Sequence, residues 1–424
     1  MVYLPHWPIP ATLGKRQIDY ETVFERAFLV LEKLGNPHQK LKNVIHVAGT
    51  NGKGSAVVLL AEIFSQAGKK THIYTSPHLH DCNERIVLNG EKISDNFLYE
   101  VMEEVRLAAG ETPLTFMEAF TIGAFLAFSK VPSDVVIIEC GMGGRIDITN
   151  IIEKKIATLI MPISFDHTEY LGNSIERIAL EKALIMRPET PLIVAAQPLA
   201  AKNIIKILST DQKIPTYFYD EDFFIEMDEE SGEFDFKFKE NFFENLPRPA
   251  LTGSHQYINF ATAITAATIL GIEEDAIRRA ISKVYWPSRL EKIQNGLNKF
   301  VEEIYIDGAH NSAGAFALAR WLEEKDNSKK NFVICGFSRN KCKKEFLEKF
   351  KNIAEVVAVR VNGEPYPEAA EKISEIGLEI GMNIPAFQDL DEALQHIKTI
   401  INSKPCRVVI CGSLHLARDV KRLG

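Results

Sequence analysis

HVAGTNGKGSAVVLLAEIF, residues 46–64, is the stretch on which the fold turns. An apolar run enters it and a helix-like run leaves it. Between them stand Gly49, Gly52 and Gly54, with Lys53 and Ser55. The spacing departs from the common phosphate loop GxxxxGK[ST]: Val47 stands five places before Gly52, Gly54 follows Lys53, and Ser55 comes one place late. The chemistry still fits phosphate. Glycines let backbone N–H groups approach phosphate oxygens, a helix N-terminus adds partial positive charge, and Lys53 would neutralise the β- and γ-phosphates. The plain alternative is a flexible turn carrying a solvated lysine. Strand, glycines, lysine, hydroxyl and helix in succession favour a nucleotide loop.

Outward from this loop, short runs that are apolar on both faces alternate with helix-like segments: NVIHVA (43–48), THIYT (71–75), DVVIIEC (134–140), IATLIMPI (156–163) and PLIVAA (191–196). Such runs suit strands of a parallel sheet covered by helices on both faces. FFIEM and EFDFKFK flank DEESG within 215–240 and read as an antiparallel hairpin, a small addition to this domain. A helix is expected over 256–271. The rhythm restarts with EEIYID (302–307), NFVICGF (331–337), AEVVAVRV (354–361) and CRVVICG (406–412). Two α/β domains follow: a P-loop-type, mostly parallel sheet over 1–295 and a Rossmann-like α/β domain over 296–424. The boundary is expected in the polar stretch 292–300.

Composition narrows the function classes. The 424 residues are 46% hydrophobic and 25% charged, as in globular proteins. Forty-nine basic residues against 57 acidic ones give a net charge of −8, without the basic footprint of a nucleic-acid binder. Six scattered cysteines form no CxxC pair or zinc spacing, which suits thiols in a reducing compartment. No apolar stretch reaches the roughly 20 residues of a membrane span, and MVYLPHWPIPATLGKRQ has no clean signal core. A cytoplasmic, monomeric enzyme is expected, with no nucleic-acid or membrane partner.

In open parallel sheets ligands bind beyond the carboxyl ends of the strands. After the second strand TSPHL (75–79) offers the Ser76 hydroxyl, able to bind a cation or phosphate, or simply to belong to a Ser-Pro turn. After the third, ECGMGGRID brings Glu139, suited to Mg²⁺, with Arg145 and Asp147 beyond a glycine turn. After the fourth, SFDHTEYLG brings Asp166 and His167, at the Glu139 edge if the strands are neighbours. A lone histidine there is more often a structural hydrogen-bonder. In the second domain IDGAHNSAGAF presents Asp307, His310 and Asn311; the bland reading is a strand end and a helix cap. The residues support a metal–nucleotide site without fixing its ligands.

Taken in order, LGNP (34–37), HVAGTNGKGS (46–55), TSPHL (75–79), ERI (84–86), ECGMGGRIDITN (139–150), DHTEYLG (166–172), EKA (181–183), GSHQYIN (253–259), WPSRLE (286–291), DGAHN (307–311) and GSLHL (412–416) resemble the folylpolyglutamate synthase/dihydrofolate synthase family of Mur-type ATP-dependent ligases. The resemblance implies joining a folate or dihydropteroate carboxylate to the amine of L-glutamate, with ATP and Mg²⁺, two ions expected. Attack of the carboxylate on the γ-phosphate gives an acyl phosphate, which the amine displaces. Both steps concentrate negative charge, so cationic groups should dominate catalysis.

By the same resemblance Thr50, Asn51, Gly52, Lys53, Gly54 and Ser55 would cradle the ATP phosphates. Ser76, Glu139, His167 and Lys182 would hold metal, Lys182 as an N6-carboxylysine, while Asn259, Arg289 and Asp307 would contact nucleotide. His310 would lie near the acyl phosphate, and the C-terminal domain, with Ser413, would bind the incoming glutamate. Thr115, Phe116 and Met117 would be on the folate side, Phe116 stacking on the pterin, with plain helix packing as the alternative, and Arg145 would bind substrate. Ser288 and Leu184 stand where the family usually has glycine, and no dedicated dihydropteroate loop is evident in the first 40 residues. A cell-wall Mur ligase would be expected to carry a further N-terminal domain, for which the residues before 43 are too few. A regulatory P-loop NTPase would leave the second domain without a task.

Overall fold

The computed structural model describes residues 20–293, 301–326, 328–364, 366–401 and 405–423. The boundary expected at 295/296 lies outside them, as do the first 19 residues. Two compact units form. The larger takes the described residues up to Ile163, then Leu171–Ala250 and Ile258–Val284; the smaller takes Ser164–Tyr170, Leu251–Tyr257 and the described residues from Tyr285 onward.

In the larger unit eight strands make one sheet: β1 (Val44–Ala48), β2 (Thr71–Tyr74), β3 (Ile86–Leu88), β4 (Glu91–Lys92), β5 (Val135–Glu139), β6 (Ala157–Ile160), β7 (Leu192–Val194) and β8 (Thr216–Phe218), ordered β4-β3-β2-β5-β1-β6-β7-β8. From β2 to β8 all neighbours are parallel; β3 and β4 add an antiparallel edge. β1, β2, β5, β6 and β7 are buried throughout, the reason their sequences are apolar on both faces. One core layer packs Phe120, Phe125, Ile138 and Leu98 together; another packs Ile160, Val194, Ile178 and Ile205. The expected hairpin is a three-stranded antiparallel sheet, β9 (Phe223–Met227), β10 (Phe234–Phe238) and β11 (Asn241–Leu246), with Phe234, Phe236 and Phe238 on its buried face.

The smaller unit has six strands: β12 (Glu291–Lys292), β13 (Glu303–Ile306), β14 (Lys330–Cys335), β15 (Glu355–Val359), β16 (Ala386–Phe387) and β17 (Cys406–Cys411), ordered β12-β13-β17-β14-β15-β16. All pairs are parallel except β12 with β13. The final strand enters between β13 and β14, so the turns after Ile306, Cys335 and Cys411 share one edge.

Candidate active site

β1 lies between β5 and β6, with Val47 opposite Glu139 and Ala48 opposite Ile160. The chain therefore leaves β1 at the point where successive strands pass to opposite sides, the place where such sheets bind ligands. Gly49 follows, at φ +146°; a Cβ there would stand 2.6 Å from that of Met161. The N–H groups of Thr50 and Asn51 both donate to the Pro162 carbonyl, at 3.0 and 3.3 Å. That pins the loop but commits two amides expected to face phosphate. Gly52 caps the helix Lys53–Gln66 at φ +83°. The first pair within that helix runs from the Ala56 N–H to the Gly52 carbonyl, so the amides from Gly52 to Ser55 form its open N-terminus.

Two side chains complete the loop. The buried Ser55 Oγ has no hydrogen-bond partner among the described residues, an omission costing about 1–3 kcal/mol unless something else fills it. Lys53 Nζ donates to the carbonyls of Gly49 (3.2 Å) and Thr50 (3.0 Å) and stands 3.9 Å from Glu139 Oε1. Glu139 Oε2 in turn accepts from the Ser76 N–H at 3.2 Å. A Cβ at Gly141 would lie 3.2 Å from Asp147 Oδ2 and from Met117 Cε, and 3.5 Å from Ser76 Oγ. Lys182, buried, donates from Nζ to the Gly49 carbonyl at 3.0 Å. Asn259 Oδ1 would be 2.2 Å from a Cβ at Gly52. Lys53, Ser55, Ser76, Glu139, Lys182 and Asn259 thus converge on one loop, though they are scattered over two hundred residues of sequence.

Beneath the loop lies a buried polar layer. His46 Nε2 meets Thr149 Oγ1 at 2.8 Å and Cys140 Sγ at 3.0 Å. Thr149 Oγ1 also donates to Asp147, whose other oxygen accepts the Met142 N–H at 2.9 Å. Burial, then the Asp147 charge, pushes the Cys140 thiol up to about 12, so it acts as packing and not as a nucleophile.

The substrate-binding candidates of the larger unit have local tasks as well. Thr115 caps the helix Phe116–Lys130 in a reciprocal box with Glu118. Phe116 packs 5.1 Å from Phe120, and the Arg85 guanidinium lies over both rings at 5.3 and 5.8 Å. Arg85 also donates to Met117 Sδ (3.3 Å) and His78 Nδ1 (2.9 Å). Arg145 is held by Glu181 Oε1 through Nε (3.1 Å) and Nη2 (2.7 Å).

His167, Arg289, Asp307, His310 and Ser413 belong to the smaller unit. β2 and β5 are neighbours, but β1 separates β5 from β6, so the condition under which Asp166 and His167 would stand beside Glu139, that their strands be neighbours, is not met; His167 Nε2 stands 3.8 Å from Asp166 Oδ2. Asp166 is the hub there. It accepts from Lys341 Nζ at 2.6 Å and meets His310 Nε2 at 3.0 Å, while His310 Nδ1 faces the Gly308 carbonyl at 2.9 Å. Burial alone would raise the Asp166 carboxyl. The His310 hydrogen bond and the charges of His310, His167 and Lys341 outweigh it and hold Asp166 well below the ordinary carboxylate range. Asp307 accepts the N–H groups of Ala309 (2.8 Å) and Leu290 (2.9 Å), and Asn311 caps the helix Ser312–Glu323 through the Gly314 N–H (2.9 Å). Arg289 Nη1 would be 2.4 Å from a Cβ at Gly308 and donates to the Ser288 carbonyl. Ser413 Oγ donates to Glu364 at 3.2 Å.

Both departures from the usual glycines have a local account. Ser288 sits at φ +57°, the left-handed region that glycine enters freely. Leu184 has φ −73°, open to any residue. Sequence reasoning missed Lys341, Lys155 and Arg187, because a lysine-rich SRNKCKK or a lone Lys reads as a solvated surface.

Residues 47–267 match the Mur ligase middle domain, and residues 291–423 match the dihydrofolate synthetase C-terminal domain. A dihydrofolate synthase/folylpolyglutamate synthase of Bacillus subtilis is 32% identical over 410 residues, covering 93% of each chain. The chain belongs to the dihydrofolate synthase/folylpolyglutamate synthase family. Two solved members are similar throughout. Escherichia coli FolC in complex with DHPP and ADP has a TM-score of 0.84 at 28% identity, covering 94% of this chain and 92% of that one. The Yersinia pestis bifunctional enzyme complexed with AMPPNP and Mn ion has a TM-score of 0.83 at 26% identity, with the same coverage. Members of the family are Mur-type ATP-dependent ligases. Among the described residues no helix is long and apolar enough to cross a membrane.

Proposed function

We propose that the chain ligates L-glutamate to a folate, and also to dihydropteroate, at the expense of ATP. The observation that carries this reading is the convergence of Lys53, Ser55, Ser76, Glu139 and Lys182 on the loop Gly49–Ser55 within a chain that matches a relative of this family over 93% of its length. The larger unit takes ATP and the folate side, with Asn259 holding the loop; the C-terminal domain takes glutamate near Ser413. Arg289, Asp307 and His310 serve the nucleotide and the acyl phosphate.

Among the described residues no three His, Cys, Asp or Glu side chains gather to hold a metal. That suits Mg²⁺, which binds through one or two carboxylates, keeps several waters and takes the rest of its shell from substrate phosphates. Glu139 and the hydroxyls of Ser76 and Ser55 would supply such a set. When bound, Mg²⁺ neutralises charge on the transferring phosphoryl group. Lys182 works as the N6-carboxylysine: carbamylation makes it an anion while Nζ keeps one N–H for the Gly49 carbonyl.

The substrate carboxylate attacks the γ-phosphorus and ADP leaves. The glutamate amine then attacks the carbonyl carbon, phosphate departs, and the amine gives up its proton. Lys53 Nζ turns from the Gly49 and Thr50 carbonyls to the phosphates, where charge grows during transfer. Six free cysteines, four of them buried, suit the reducing cytoplasm in which a monomer would work.

Release of ADP and phosphate should require a folate or dihydropteroate together with L-glutamate. Nucleotide turnover indifferent to both would refute the ligase reading. Parallel assays with dihydropteroate and a reduced folate separate one activity from two. Lys53→Ala should lower turnover more than about 100-fold, the scale for losing one transition-state donor, with an unchanged circular dichroism spectrum. Near-wild-type ligation would remove Lys53 from its role.

A further inference from the structure

Lys182 lies in the last turn of the helix Ile175–Ala183. The chain that follows, Leu184–Met186, is not helical, yet its three carbonyls are gathered by one cluster of donors. Arg187 Nη1 donates to the carbonyls of Leu184 (3.4 Å), Ile185 (3.3 Å) and Met186 (3.0 Å). Lys155 Nζ donates to Ile185 at 2.7 Å, and Asn150 Nδ2 to Leu184 at 3.2 Å. The three side chains also interlock. Asn150 Oδ1 accepts from Lys155 Nζ and Arg187 Nη2, both at 3.0 Å, and Arg187 Nη2 reaches the Asn150 carbonyl at 2.8 Å.

The same cluster grips the glycine loop that follows Glu139. Asn150 Nδ2 donates to the Arg145 carbonyl at 3.2 Å, and the Arg145 N–H donates to the Glu181 carbonyl at 2.7 Å. Gly144 fits so closely that a Cβ there would lie 2.7 Å from the Glu181 oxygen and 3.1 Å from Lys182 Cα. Lys155 and Asn150 are buried. Glu153, 3.6 Å from Arg187, is 81% exposed and a weak partner. Burial, then the neighbouring Arg187 charge, disfavours the charged form of Lys155, and Arg187 is itself half-buried; here carbonyl oxygens accept from both. Their effect is to fix the end of a helix that would otherwise fray, and with it a long side chain that would otherwise sample many rotamers.

We propose that Asn150, Lys155 and Arg187 are positioning residues of the ligase reaction, holding the turn after Lys182 so that its Nζ stays at the Gly49 carbonyl of the phosphate loop. This rests on the reading of Lys182 given above.

The test is Arg187→Ala in the full-length enzyme, assayed with ATP, Mg²⁺, a reduced folate and L-glutamate. The expected result is a fall in kcat of about 10- to 100-fold, the scale for residues that orient a first ligand shell, with KM for L-glutamate within about twofold. Millimolar guanidinium should fill the vacated space and restore part of kcat. Without substrates, hydrogen–deuterium exchange should quicken at the Met186 amide, which is bonded to the Ala183 carbonyl. Wild-type kcat per folded molecule, or a loss that guanidinium leaves untouched, overturns the proposal. If Arg187→Ala fails to fold, Lys155→Met keeps the aliphatic bulk and should lower kcat by about tenfold; unchanged kcat overturns the proposal equally. Lys182→Ala separates the two readings. If it retains full turnover, the underlying assignment falls. If it is inactive while Arg187→Ala and Lys155→Met turn over normally, only the positioning proposal falls.

Discussion

Gly52→Ala addresses the geometry of the phosphate loop with one carbon atom. Gly52 caps the loop helix at φ +83°, where an L side chain costs about 1–2 kcal/mol. The new Cβ would also stand 2.2 Å from Asn259 Oδ1 and 2.8 Å from its Cγ, so Asn259 must leave its rotamer, at about 0.5–1.5 kcal/mol. Together these come to about 2 kcal/mol, or a fall of about 4–8 °C in the thermal midpoint for a unit of this size. ADP affinity, measured by calorimetry, should fall as well, because the displaced amides are those at the open helix N-terminus. A double-mutant cycle isolates the clash: adding Asn259→Ala to Gly52→Ala should cost about 1 kcal/mol less than the sum of the single changes. Additive effects, or a Gly52→Ala protein with wild-type midpoint and ADP affinity, would refute the reasoning.

Acid sensitivity should begin with a histidine. His46 is held well below its ordinary 6.5 by burial, then by the Lys155 and Arg187 charges. Above about pH 6.5 it is neutral folded or unfolded; below that the unfolded chain takes a proton that the folded one refuses. Stability should therefore fall as pH drops below 6.5, by up to about 1.4 kcal/mol per pH unit from this residue, and His46→Gln should flatten the midpoint-versus-pH curve between pH 6.5 and 5. In the smaller unit, Asp166→Ala leaves Lys341 and His310 without their carboxylate and should cost about 3 kcal/mol, seen as a lower midpoint, whereas Asp166→Glu should recover part of the loss.

The legible part of the fold was its covered centre. β1, β2, β5, β6 and β7 are buried on both faces, so each announces itself as an apolar run; β13, β14, β15 and β17 do so in the smaller unit. The edge strands were silent. β4, β12 and β16 have two residues each, and β8 has three that are mostly half-buried, too short for any periodicity to register. β11 was missed because its exposed residues outnumber its buried ones.

By itself the sequence determined what is local: a strand, a glycine turn and a helix around Lys53, a cap at Asn311, and a residue order that names the family. Tertiary structure alone decided what depends on distance between remote segments. It placed Lys182 at the Gly49 carbonyl across 133 positions, left the Ser55 hydroxyl buried without a partner among the described residues, and set β1 between β5 and β6 so that His167 and Glu139 do not follow neighbouring strands. It also turned Lys155, Arg187 and Lys341 from apparent surface charges into enclosed donors. The reason is physical. Period and turn chemistry act over a few residues and are written in consecutive letters, whereas burial and electrostatic partnership belong to the packed chain and appear only when the sheet has closed around them.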